Sequence, residues 1–176
     1  MNLNGYKIRS AIKRMTRNRD VLQARFTKET HFFPSRGPRP DIEQTGADLN
    51  MAETILVRLQ IIQMRYNLNV TVKPNGYEAM SLAAAIKQSG TRARLAAQWR
   101  KVSGGDKTSK YSIYGDTLSK DVEYQQETIA TDQALALENT YSTSHASFQE
   151  VISHGNAQTV EFADAELEGL THLFDR

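Results

Sequence analysis

The chain has 176 residues, 39% hydrophobic and 24% charged, with a net charge of +2 and no cysteine. That length fits one domain with one core, and the lack of cysteine excludes disulfides, thiolate metal ligands and a cysteine nucleophile. No apolar run of about eighteen residues marks a membrane span, and Met1-Asn2-Leu3-Asn4-Gly5-Tyr6 lacks the apolar centre of a signal peptide, so a soluble protein in a cytoplasmic or virion setting is expected.

The charge is unevenly spread. Residues 1–40 hold ten Lys/Arg and two Asp/Glu, a balance of +8. Residues 41–110 hold ten and six, +4, and residues 111–176 hold two and twelve, −10. Two readings follow. The basic N-terminal segment packs against the acidic C-terminal half, within one chain or across a subunit boundary, or it is an arm for nucleic acid or another polyanion.

From about Leu3 to Thr30, Ile8, Ile12, Met15, Leu22 and Phe26 fall on one face at three-, four- and seven-residue steps, which predicts an amphipathic helix. Lys7, Lys13, Arg14 and Arg17 lie mostly off that stripe, while Arg19 interrupts it. Pro34, Pro38 and Pro40 end the helix and read as an exposed connector over 33–40. Asp41 or Thr45 starts the next helix, which runs to about Tyr66 on a stripe of Leu49, Ala52, Leu56, Leu59 and Tyr66.

The period then changes. Asn67-Leu68-Asn69-Val70-Thr71-Val72 alternates and is followed by the turn signal Pro74-Asn75-Gly76, so a strand is expected across 67–76. Its obvious partner is Gln158–Phe162, giving a two-stranded β-ribbon that must lie on helices to be stable. Glu78–Val102 reads as a third helix, ended by Ser103-Gly104-Gly105. Residues 107–121 read as a loop or short strand, and Val122–Ser153 as a fourth helix with a looser stripe. Ala165–Phe174 suits one short amphipathic helix.

This layout resembles the septicolysin-like family of small bacterial and phage proteins. The resembling residues are Arg65-Tyr66-Asn67-Leu68-Asn69 with Gly76 and Leu82-Ala83-Ala84-Ala85-Ile86, then Tyr111-Ser112, and finally Ile152 with Asn156 and Thr159-Val160-Glu161. The resemblance covers about 60% of the chain. It implies a helical core with a small β-element and self-association, and it carries over no catalytic residue.

The chemistry-bearing residues form no familiar constellation. His31, His145, His154 and His172 make no His-x-x-x-His pair, and no phosphate-binding Gly-x-x-x-x-Gly-Lys or Gly-x-Ser-x-Gly is present. No cofactor is implied. The polar cluster Arg65, Asn67, Asn69 and Asn75 reads either as caps and turns or as a small polar ligand site at an oligomer interface. Lys13, Arg14 and Arg17, with Arg65, Asn67 and Asn69, are the candidate contacts for a polyanion or small anionic ligand.

The sequence therefore predicts a mainly α protein over 1–176, a single domain of long antiparallel helices forming a bundle with a small two-stranded β-ribbon. The expected role is a non-enzymatic, self-associating assembly protein that forms a homo-oligomer or joins other subunits, phage-encoded or part of a larger particle. The alternative is a ligand-sequestering or nucleic-acid-binding module that uses the basic N-terminal half.

Overall fold

A computed structural model describes residues 1–31, 41–104 and 129–174. The expected connector at 33–40, the loop at 107–121 and the start of the fourth helix lie outside the described residues. The described part is mainly α. Its elements are β1 (Asn2–Asn4), α1 (Gly5–Glu29), α2 (Ile42–Asn69), β2 (Thr71–Val72), β3 (Met80–Ser81), α3 (Leu82–Ser103), α4 (Thr131–Ala157) and β4 (Thr159–Glu161). Short 3-10 turns follow at Asp164–Glu166 and Thr171–Leu173, in place of the expected short amphipathic helix.

Where the sequence reads as one domain, the chain divides into two compact units, residues 1–85 with 151–176 and residues 86–150. In the first unit, α1 and α2 form the expected antiparallel pair. Asn4 caps α1, its Oδ1 accepting from the Lys7 backbone N–H at 2.9 Å, and Asp41 caps α2 in the same way through Gln44 N–H at 3.0 Å. Ile8, Ala11 and Met15 of α1 are buried, as are Ala52, Leu56, Leu59, Ile62 and Tyr66 of α2. Polar ties fix the pairing along the helices. Arg19, the interruption in the first stripe, reaches Glu53 at 3.2 Å, and the buried Thr45 hydroxyl donates to the Glu29 carboxylate at 2.6 Å. Thr45, and then Arg25 at 2.6 Å, hold the Glu29 carboxyl below the ordinary carboxylate range.

Both expected strand segments form strands, but they do not pair with each other. Thr71 and Val72 pair with Ser81 and Met80, while Asn2, Leu3 and Asn4 pair with Glu161, Val160 and Thr159, both antiparallel. Local chain reversal decides the first pairing. Tyr77 N–H bonds Pro74 C=O at 3.1 Å across a turn whose third residue, Gly76, has φ +76°, a value that favours glycine. The strand is also shorter than expected, because α2 runs on to Asn69. Gln63 donates to Asn67 at 2.8 Å, an i,i+4 bond that stabilises one more helical turn.

The two sheets meet the end of α4 around Tyr66. That side chain is fully buried, its hydroxyl 2.7 Å from both the Gly155 and Gln158 carbonyls. Burial pushes the Tyr66 phenol up, partly offset by a backbone hydrogen bond from Gly5. Gly155 is needed for close approach, since a Cβ there would lie 2.8 Å from Val72 Cγ1 and 3.0 Å from Leu82 Cδ1. Leu167, Leu170 and Phe174, which flank the 3-10 turns, are buried as well.

The second unit has a thinner apolar centre. Among its described residues, Ala96, Ala134 and Phe148 are the buried apolar side chains. Polar contacts join α3 to α4 in antiparallel order, Arg100 to Glu138 at 2.7 Å at one end and Ser89 to His145 at 3.0 Å at the other. Arg100, then Ser103 at 3.1 Å, hold the Glu138 carboxyl below its usual range.

Candidate functional site

Helix α2 has two apolar faces. At 100° per residue, Val57, Ile61, Met64 and Leu68 lie opposite the buried Leu56, Leu59 and Tyr66. All four are exposed, from 51% at Ile61 to 64% at Met64. They belong to a longer run, Ala47, Asn50, Thr54, Val57, Ile61, Met64 and Leu68, spaced by alternating steps of three and four, and every member is exposed. This is the a/d spacing of a coiled-coil seam, about 32 Å long at 1.5 Å per residue, with its large apolar side chains at 57, 61, 64 and 68. Ala47, Thr54, Ile61 and Leu68 occupy a positions, and Asn50, Val57 and Met64 occupy d positions.

The flanks of the seam differ in charge. The e positions are Met51, Arg58 and Arg65, and the g positions are Glu53, Gln60 and Asn67. Arg58 donates to the Glu168 carbonyl at 2.8 Å, and Arg65 pairs with Glu166, so the acidic C-terminal segment lies along the e side. Sequence reasoning missed the seam because residues 55–62 are apolar nearly all round the helix. The stripe through Leu56 and Leu59 satisfies a helical period, and the second stripe, one residue out of frame, is hidden behind it. The 57, 61, 64, 68 spacing is the signal that finds it.

The candidate contact residues do not converge on one place. Lys13 and Arg17 are exposed on α1, and neither makes an ion pair among the described residues. Arg14 is drawn in, its guanidinium donating to the Leu173 carbonyl, so it ties α1 to the C-terminal 3-10 turn. Arg65 meets Glu166, Asn67 accepts from Gln63, and Asn69 is exposed in the last turn of α2. Asn67 thus sits on the g flank and Arg65 on the e flank of the seam. The C-terminal segment is contacted by Arg14 of α1 through a backbone carbonyl and by Arg58 and Arg65 of α2, and not by Lys13 or Arg17.

A second polar cluster lies in residues 86–150. Ser89 Oγ is 3.0 Å from His145 Nδ1 and accepts from Gln149 Nε2 at 2.8 Å, and the same Nδ1 is 3.1 Å from the Ser89 carbonyl. A serine nucleophile needs an accessible hydroxyl and a histidine oriented by a third group. Ser89 is 1% exposed, and the ring nitrogen that meets its hydroxyl also meets its backbone, so the cluster serves to tie α3 to α4. Arg92 lies over the Tyr141 ring at 5.9 Å from its centroid, and Arg94 donates to Thr91 at 3.1 Å, so these α3 cations are held separately.

Among the described residues, no three His, Asp or Glu side chains gather as a metal site would require. Nor is any described helix long and apolar enough to cross a membrane. No protein-family model, curated protein or solved structure matches the chain.

Proposed function

We propose that this chain is a non-enzymatic, self-associating helical assembly protein, a building block of a larger particle in a cytoplasmic or virion setting. The observation that supports this reading is the exposed seam on α2. Fully burying one aliphatic side chain contributes about 1.5–3 kcal/mol. Four such side chains in line offer enough to offset the several kcal/mol, about 4 or more, that association costs. The resemblance to the septicolysin-like family carries the same implication. Light scattering on the purified chain across micromolar concentrations tests it. A mass above the monomer that falls on dilution is expected, and a strictly monomeric mass removes the reading.

A second reading rests on α1. Arg9, Lys13 and Arg17 follow one another at i, i+4 and i+8, all exposed. Like charges at that spacing destabilise a helix by about 0.2–0.5 kcal/mol per pair, a cost that a bound polyanion relieves. Nucleic acid or a small anionic ligand is the partner on this reading. A mobility shift with DNA or RNA that fades as salt rises supports it, and no shift at low salt with either removes the nucleic-acid form.

A further inference from the structure

We infer that two copies of this chain pair through α2 as a parallel, in-register coiled coil, an inference that rests on the self-association reading above and names its interface. The occupant of the seam is a second copy, and charge selects its direction.

In a parallel pair each g position faces the e position five residues later on the other copy. That places Glu53 against Arg58 and Gln60 against Arg65, twice each by the two-fold axis. An antiparallel pair sets e against e, and centred on Leu59 it puts Arg58 against Arg58 of the other copy and Arg65 against Met51. The charge of the e flank therefore opposes one direction, and the one acid of the g flank favours the other. Both partners retain bonding capacity. Glu53 uses one oxygen on Arg19, and Arg58 uses one of its five N–H donors on Glu168.

The seam also carries its own register mark. Asn50 is the one amide among the seven seam residues and is exposed. In a parallel, in-register pair it meets its own copy and satisfies its hydrogen bonds there. A slip of one heptad sets Asn50 of one copy against Val57 of the other, leaving that amide unpaired. The seam lies opposite the face that packs on α1, so pairing needs no rearrangement of the α1–α2 core.

The absence of native cysteine makes the test simple. Asn50→Cys and Leu68→Cys are made separately in the full chain, and oxidised glutathione is added as the oxidant. Both sites are exposed, and far-UV circular dichroism and light scattering accompany each variant. Parallel pairing yields a disulfide-linked dimer from each variant alone. Antiparallel pairing centred on Leu59 gives cross-linking only when the two variants are mixed, which overturns the direction. A dimeric mass with no cross-link in any combination overturns the α2 interface while leaving self-association standing. A monomeric mass for the unmodified chain, as when the seam takes a different protein, overturns both.

Discussion

Replacing Tyr66 by Phe isolates one hydroxyl at the point where α1, α2 and the end of α4 meet. The ring stays, so no cavity opens. The Gly155 carbonyl keeps a bond from Gln158 N–H at 3.2 Å and is not orphaned. What loses its partner is the Gly5 N–H, in a buried residue, and the part-buried Gln158 carbonyl. A buried polar group left unsatisfied costs about 1–3 kcal/mol. A loss of about 2 kcal/mol is expected, a shift of about 1 M in urea midpoint for a slope of about 2 kcal/mol/M. Urea unfolding followed by circular dichroism measures it. Tyr6→Phe is the control, because its half-exposed hydroxyl bonds Ser153 Oγ at 2.9 Å, and it should cost less than about 0.5 kcal/mol. The pH dependence gives a second readout. The folded-state pKa of Tyr66 is raised above its ordinary value of 10.0, so its contribution is full below that pH and is lost as pH rises through the folded value. The gap between native chain and variant should therefore narrow above about pH 10. Equal midpoints for Tyr66→Phe and Tyr6→Phe would refute the reasoning.

Acid should weaken the fold through Glu29 and Glu138. Both carboxyls are held below the ordinary range, by Thr45 with Arg25 and by Arg100 with Ser103, so their contribution is full above about pH 4.3 and lost as pH falls through the folded values. Glu29→Gln should make thermal stability less sensitive to pH between about 5 and 3, and an unchanged profile contradicts the Thr45–Glu29 tie. On α1, Arg14→Ala should lower the melting temperature by releasing Leu173, whereas Lys13→Glu with Arg17→Glu should leave it within a few degrees of the native chain. Calorimetry on the two variants decides, and a larger loss from the Lys13/Arg17 pair means those side chains have a structural partner.

Much of the helical architecture was legible. Asp41 is a cap residue ahead of an apolar period, and Ile8, Met15, Leu56, Leu59 and Tyr66 announce the faces that pack, but Leu3 and Asn4, read as helix, lie in β1 with Asn4 as the cap. Strand pairing was not legible, because alternation marks a strand without naming its partner. Thr71–Val72 took the neighbour that a short turn brings back, which left Thr159–Glu161 for Asn2–Asn4. Asn67-Leu68-Asn69 reads equally as alternation and as the last turn of a helix, and the Gln63–Asn67 bond decides for the helix. The candidate site was least legible. Arg14 and Arg65 share a residue type with Arg17, yet the C-terminal segment recruits two of the three. That contact spans more than a hundred residues of sequence.

The pairing of β1 with β4 sets the order in which the first unit completes. Thr71 and Ser81 are ten positions apart, whereas the Met1 and Phe162 backbones that extend the β1–β4 ladder are 161 apart. For an unstructured chain that difference is four doublings of loop length, about 0.6 kcal/mol each and about 2.4 kcal/mol in all. The α1–α2 hairpin and the β2–β3 turn are available as soon as they leave the ribosome. Gly155, Asn156 and Leu167–Phe174 are made long after both. Until then Leu3 and Tyr66 lack the contacts that β4 and the end of α4 supply. Completion of this core therefore waits for residues 151–174 to close over residues 1–5.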